Sequence, residues 1–199
     1  MRLRNTAAVP VSAFALGLTL MLASAVPAGA ATPVPAKGHA TFCLTTAAAK
    51  SLADDGVVLT ATAPATLDAG EKCVTTPITE GSITVDPLSG DFPLDGGFTF
   101  TRTSNQNTLE FTNLNDTLTG TKITADASIV GGAGANIALV TYELTSQHVQ
   151  VTPQAVDITG PGNIASGSRD AFTAAFDAPP VGLGEALFDI SVHLDLPTQ

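Results

Sequence analysis

The sequence predicts a mainly β protein, an antiparallel β-sandwich with two short helices and one disulfide. Apolar and polar residues alternate with a period of two in several runs, the clearest of which spans residues 188–196. Such runs form half-buried strands that place one face on a core and the other in water. Turn signals separate the runs at intervals of about ten to fifteen residues, which is typical of a sandwich or barrel.

The first thirty residues predict a cleaved signal peptide. Arg2 and Arg4 form a positive start, an apolar stretch covers residues 7–22, and the small residues Ala28 and Ala30 fit signal peptidase. A proline interrupts the apolar stretch, which argues against the alternative of a membrane anchor. We therefore expect a secreted, extracellular protein, associated with the cell envelope and not integral to the membrane.

Residues 31–40 are predicted to be an extended leader and residues 41–199 a single domain, because no repeat or composition shift divides them. The whole chain carries 8 Lys+Arg and 18 Asp+Glu, a net charge of −10. Such an acidic chain does not bind nucleic acid through phosphates. With 44% hydrophobic residues it is also too apolar for a disordered chain.

The domain opens with a predicted strand over residues 42–44 and a short helix over residues 47–54. Thr45 or Thr46 is the candidate N-cap, because a threonine hydroxyl can accept a free backbone N–H of the first turn. Gly56 suits the position just after the helix, where the left-handed conformation is common.

Cys43 and Cys73 predict a structural disulfide. An even pair in an exported chain is most simply oxidised, and the closed loop would stabilise the fold by roughly 3–4 kcal/mol. A metal site is the alternative, but no histidine or acidic partner stands at ligand spacing from Cys73. A redox pair would have the spacing C-x-x-C.

Alternation defines the strands that follow, and a second helix interrupts them late in the chain. Ser168 is the candidate cap of that helix, and Phe172 and Phe176 lie four residues apart on one of its faces. A pair of prolines then ends it. The predicted strands before the helix cover residues 82–85, 98–101, 109–112, 122–129 and 137–149.

No catalytic constellation is recognisable. The sequence lacks G-x-S-x-G, its two cysteines are predicted to be oxidised, and it has no Trp to form a sugar platform. It also lacks a D-x-[DN]-x-[DN]-G calcium loop. We expect the protein not to be an enzyme, and we assign no catalytic residue and no metal ligand.

The sequence contains three histidines, and a structural position explains each of them. His39 falls in the leader, where we expect disorder. His193 and Asp195 share the polar face of the last strand, which favours a solvated surface, with a metal pair as the alternative. His148 has the same side-chain parity as Tyr142. The residues of this parity are predicted to lie in the core, with the end of the row in solvent.

The order of short motifs from residue 41 onward is more specific than any one of them. The motifs are Thr41-Phe42-Cys43-Leu44-Thr45, Ala47-Ala48-Ala49-Lys50-Ser51-Leu52, Gly56-Val57, Pro64-Ala65-Thr66, Pro77-Ile78-Thr79-Glu80-Gly81-Ser82 and Gly96-Gly97-Phe98-Thr99-Phe100. This order resembles the HtaA-type domain of actinobacterial secreted and cell-surface proteins. The resemblance covers roughly residues 41–196.

The resemblance implies a mostly β domain and a haem-related role, because family members of known function bind haem in haem-uptake systems. The family's haem-ligating Tyr lies in an N-terminal segment that has no counterpart here. Its supporting His corresponds to Leu94. A ferric haem needs an axial donor, and only Tyr142, His148 and His193 could substitute here. Tyr142 and His148 are the candidate cofactor-binding residues, and haem is the candidate cofactor.

Two functions from different classes follow. The first is a non-catalytic, HtaA-like binding module at the cell envelope, linked to haem or iron uptake. The second is a structural or adhesive extracellular module that binds a protein or glycan partner without a cofactor.

Overall fold

The structure, a computed structural model, describes residues 32–129 and 134–197. The predicted signal peptide lies outside the described residues. The described part holds fourteen strands, two α-helices and a 3-10 turn at Leu118–Gly120. The elements are β1 Val34–Pro35, β2 Lys37–Leu44, α1 Thr46–Asp54, β3 Val57–Thr62, β4 Thr66–Leu67, β5 Cys73–Ile78, β6 Ser82–Val85, β7 Leu88–Leu94, β8 Gly97–Arg102, β9 Thr108–Thr117, β10 Lys122–Ile129, β11 Ala135–Thr141, β12 Val149–Val151, β13 Ala155–Ile164, α2 Ser166–Phe176 and β14 Ala186–Asp195.

All strand pairings among these residues are antiparallel, and they join the strands into one continuous sheet. Its order is β1-β6-β7-β9-β10-β11-β13-β14-β2-β5-β4, with β12 paired to β13 and the pair β3–β8 attached to β9. The mainly β, antiparallel fold class is confirmed. No helix in the described part of the chain is long and apolar enough to cross a membrane.

Phenylalanine rings show how the sheet curls over its core. Phe98 of β8 lies 6.0 Å from Phe42 of β2 and 5.8 Å from Phe188 of β14, measured between ring centroids. These strands are far apart in the sheet order, so their inner faces meet as two packed layers. The alternation that predicted the strands is the cause, because every second side chain of a strand points to the same face.

The first helix follows its sequence signals. The Thr45 hydroxyl accepts a hydrogen bond from the Ala48 backbone N–H at 3.3 Å, so Thr45 is the N-cap of α1. Ala48 and Leu52 are the buried residues of the helix. The prediction of a short helix over residues 47–54 is confirmed, with Thr46 as its first residue.

The second helix begins earlier than predicted. Phe172 and Phe176 are buried, as their spacing indicated. However, the N-cap position is Ala165, and Ser168 lies inside the helix, so the prediction that Ser168 caps α2 is wrong. The buried Ser168 hydroxyl instead donates to the Leu139 carbonyl at 2.5 Å and ties the helix to β11.

Cys43 and Cys73 form the predicted disulfide. They lie directly opposite each other on the paired strands β2 and β5, with their Cα atoms 4.0 Å apart. Strand β2 begins at Lys37, inside the segment predicted to be an extended leader, and β1 pairs with β6. The residues just before position 41 are therefore part of the sheet.

Candidate functional site

Tyr142 and Asp116 meet in the interior of the protein. Asp116 is an inward-facing residue of β9 and only 1% exposed. Tyr142 follows the last residue of β11, where its backbone N–H donates to the Thr121 carbonyl at 3.0 Å. Its phenol donates a hydrogen bond to Asp116 Oδ1 at 2.5 Å. The only tyrosine of the chain is therefore bonded to a buried acid.

Burial controls the protonation of this pair. The pKa of Asp116 is raised to about 7, mainly by burial and also by the charge of Asp91, although the hydrogen bond from Tyr142 lowers it. Burial also raises the pKa of Tyr142, with the charge of Asp116 and the hydrogen bond to it adding to the increase. The phenol is therefore neutral at physiological pH and acts as a hydrogen-bond donor.

The space beside the pair is small. A cavity of about 10 Å³ is bordered by the two side chains together with Gly160 of β13 and Ile190 and Val192 of β14. This is room for about one water molecule. A drug-sized ligand occupies a pocket of about 300–1,000 Å³, so no ligand of that size fits here without displacing the strands.

His148 lies next to the same glycine. The segment from 142 to 148 turns back on itself, with the His148 N–H bonded to the Thr145 carbonyl at 2.9 Å. His148 Nδ1 lies 2.9 Å from the Glu143 carbonyl, and a Cβ at Gly160 would be 3.5 Å from His148 Cγ. The predicted continuous run over residues 137–149 is thus wrong, because this turn separates β11 from β12.

Tyr142 does not fit a haem ligand in the arrangement described. A haem iron needs an open axial donor, but the Tyr142 oxygen is hydrogen-bonded to Asp116 beside a cavity of only about 10 Å³. The position of the family's supporting His is filled by Leu94, which is 3% exposed and belongs to the core. The described residues near Tyr142 therefore hold neither the space nor the free donor that haem binding would need.

A second polar cluster lies on the outer face of the sheet. His193 of β14 is directly opposite Asp157 of β13 on one side and His39 of β2 on the other. His193 Nδ1 lies 2.6 Å from Asp157 Oδ1, and His193 Nε2 lies 3.4 Å from Asp195 Oδ1. The hydrogen bond to Asp157 is the main cause that raises the pKa of His193, and Asp195 contributes.

The position of His39 in the sheet was not predicted from the sequence. The expectation of a disordered leader is wrong, because His39 is in β2 and its ring centroid lies 5.5 Å from that of His193. A Cβ at Gly38 would lie 1.9 Å from the His193 carbonyl oxygen, so only glycine lets β2 come this close. From Gly38 to Phe42, small or apolar residues alternate with polar ones, and this pattern was the sequence signal for a strand.

The comparisons with known proteins agree on the fold. No protein-family model and no curated protein matches the sequence. The crystal structure of the C-terminal domain of HtaA from Corynebacterium glutamicum is similar, with a TM-score of 0.62 and 13% identity, covering 82% of this chain and 99% of that domain.

Two further structures from the same protein are also similar. A domain-swapped dimer variant of the C-terminal domain has a TM-score of 0.55 and 15% identity, covering 75% of this chain and 87% of that one. The N-terminal domain has a TM-score of 0.53 and 13% identity, covering 81% and 98%. The chain therefore has an HtaA-type fold.

Proposed function

We propose that the protein is an exported, non-catalytic binding module of the cell envelope that uses the HtaA-type fold without a haem ligated by Tyr142. Its partner is an envelope or extracellular protein. Export rests on the predicted signal peptide, with cleavage after Ala30. The sequence resemblance links such a module to haem uptake.

One observation carries the proposal: the hydrogen bond from Tyr142 to Asp116 inside a cavity of about 10 Å³. To ligate ferric iron, the phenol would have to leave Asp116, lose its proton and open a haem-sized space. The first of these steps alone is unfavourable. It leaves the buried Asp116 carboxylate without its hydrogen-bond donor, which costs on the order of 1–3 kcal/mol or more. One fold often hosts unrelated functions, so an HtaA-type fold does not by itself imply haem binding.

His148 does not replace Tyr142 in this account. Its Nδ1 contacts the Glu143 carbonyl, which fixes the ring against the turn that it closes. The ring also lies over Gly160, where a Cβ would make an ordinary van der Waals contact of 3.5 Å with His148 Cγ. We therefore assign His148 to the turn between β11 and β12.

A hemin titration tests the proposal. Purified protein, Tyr142→Phe and His148→Ala are titrated with hemin, and the Soret band is recorded against free hemin and a non-haem protein of similar size. We expect no saturable change that depends on Tyr142 or His148. A saturable one-to-one change that is lost in Tyr142→Phe, while that variant keeps its far-UV circular dichroism, would overturn the proposal.

A further inference from the structure

Three neighbouring strands gather metal-binding side chains on the exposed face of the sheet. Asp157, His193 and His39 form one row across β13, β14 and β2, in an uninterrupted register. Asp195 follows two residues after His193 and therefore points to the same face. Residues directly opposite each other on paired strands have Cβ atoms about 4.5–5.5 Å apart, so this row is compact.

We propose that His39, His193 and Asp195 bind one divalent transition-metal ion, such as Zn²⁺, and that Asp157 is a positioning residue. Two imidazoles and a carboxylate are ligands that Zn²⁺ takes in proteins, and three protein ligands leave a fourth position open. This site is separate from the Tyr142 region and goes beyond the proposed binding function.

Two distances within the cluster are compatible with a tetrahedral ion. Zinc lies about 2.0–2.2 Å from imidazole nitrogen and carboxylate oxygen, so two ligand atoms of a tetrahedron are about 3.3 Å apart. His193 Nε2 and Asp195 Oδ1 are separated by 3.4 Å. With the same bond lengths, two rings on one ion have centroids about 5 Å apart, and those of His39 and His193 are 5.5 Å apart.

Asp157 supplies the orientation that a metal-binding histidine needs. Such a histidine donates its other ring N–H to a carboxylate or carbonyl, which fixes the tautomer and the ring. His193 Nδ1 lies 2.6 Å from Asp157 Oδ1, so its Nε2 is the nitrogen directed toward Asp195. The carboxylate therefore holds His193 in the orientation that binding requires.

One adjustment completes the site. In the arrangement described, no group of three His, Cys, Asp or Glu side chains within residues 32–129 and 134–197 could hold a metal ion. Metal binding therefore requires a rotation of the His39 side chain, which is exposed and projects from the regular strand β2. Lys37, opposite Asp195 in the register, is the cationic neighbour that the ion must outcompete.

Zinc titration of the purified protein tests this inference. Isothermal calorimetry with a competing chelator is run on the wild type, His39→Ala, His193→Gln and Asp195→Asn. We expect one Zn²⁺ per chain and at least about tenfold weaker binding in each variant. Asp157→Asn should weaken binding by about 10–100-fold, and Asp157→Glu should restore part of the affinity.

Matched controls separate the site from general effects of charge. His148→Ala removes a histidine outside the cluster, and Asp189→Asn removes an exposed carboxylate from the same strand, so both should bind Zn²⁺ like the wild type. Urea unfolding without metal confirms that each variant is folded. Absence of saturable one-to-one binding would overturn the inference, and so would wild-type affinity in both His39→Ala and His193→Gln.

Discussion

Tyr142 donates a hydrogen bond to Asp116 at 2.5 Å, and both side chains are buried between β9, β13 and β14. Their contact joins β9 to the segment that follows β11, a strand that is not its neighbour in the sheet. A buried polar pair of this kind is stable only while both partners are present. The two residues therefore give the core a polar contact that depends on pH.

The first prediction is that Asp116 makes the protein less stable as pH rises. Its pKa is raised from 3.8 to about 7 in the folded protein. Between about pH 4 and pH 7 the folded state keeps a proton that the unfolded chain has lost, so the free energy of unfolding falls as pH rises through this interval. We expect a loss on the order of a few kcal/mol, at about 1.4 kcal/mol per pKa unit.

Urea unfolding between pH 4 and pH 8 measures this effect. Asp116→Asn keeps an acceptor for Tyr142 and cannot titrate, so its pH dependence should be clearly shallower than that of the wild type. Asp189→Asn, which removes an exposed carboxylate, should leave the wild-type slope intact. Equal slopes in the wild type and Asp116→Asn would contradict the burial argument.

The second prediction concerns the hydrogen bond itself. Tyr142→Phe leaves the buried Asp116 without its donor, so the variant should lose about 1–3 kcal/mol of unfolding free energy at neutral pH. In a double-mutant cycle with Asp116→Asn, the two changes should couple by about 0.5–3 kcal/mol. Strictly additive effects would mean that the two side chains do not stabilise each other.

The third prediction is that the Phe98 ring, at the centre of the aromatic core, contributes strongly to stability. Phe98→Ala should cost about 3–5 kcal/mol, since a large buried ring leaves a cavity. The matched control is Val58→Ala, whose side chain is 43% exposed and should change stability by less than about 0.5 kcal/mol. Similar losses in both variants would contradict the packing. The Phe98 ring centroid lies 5.4–6.0 Å from those of Phe111, Phe188, Phe100 and Phe42.

The fourth prediction concerns the disulfide. Cys43 and Cys73 are 30 residues apart, so closing their loop should stabilise the fold by about 3–4 kcal/mol through the unfolded chain. The double variant Cys43→Ala/Cys73→Ala should unfold at correspondingly lower urea. Thiol counting on the denatured, unreduced wild type should find none, and two free thiols would refute the bond.

The sequence predicted what depends on local patterns. Alternation identified seven of the fourteen described strands, with β11 and β12 as one run, and missed β5, β7 and β13. Thr45 was one of two candidate caps of α1, because capping involves residues only three positions apart. The disulfide followed from counting cysteines. Ser168 was misassigned because its hydroxyl bonds to Leu139, a partner 29 residues away that no local rule reveals.

The two polar clusters depend on how distant strands pair, and local sequence patterns do not reveal that pairing. Asp116 and Tyr142 are 26 residues apart, and their contact requires both the inward face of β9 and the chain path after β11. His39 and His193 meet because the first long strand pairs with the last. Long-range pairing of this kind is decided by the whole sheet, so the sequence alone predicted neither contact.

Alkaline titration of Tyr142 tests the central claim most directly. The chain has one Tyr and no Trp, so ultraviolet absorbance of phenolate reports this residue alone. In the urea-unfolded chain it should titrate near the ordinary value of about 10. In the folded protein we predict no phenolate until the far-UV circular dichroism is lost. Phenolate that forms near pH 10 or below while the sheet remains intact would contradict the account, because the phenol would then be free to bind iron.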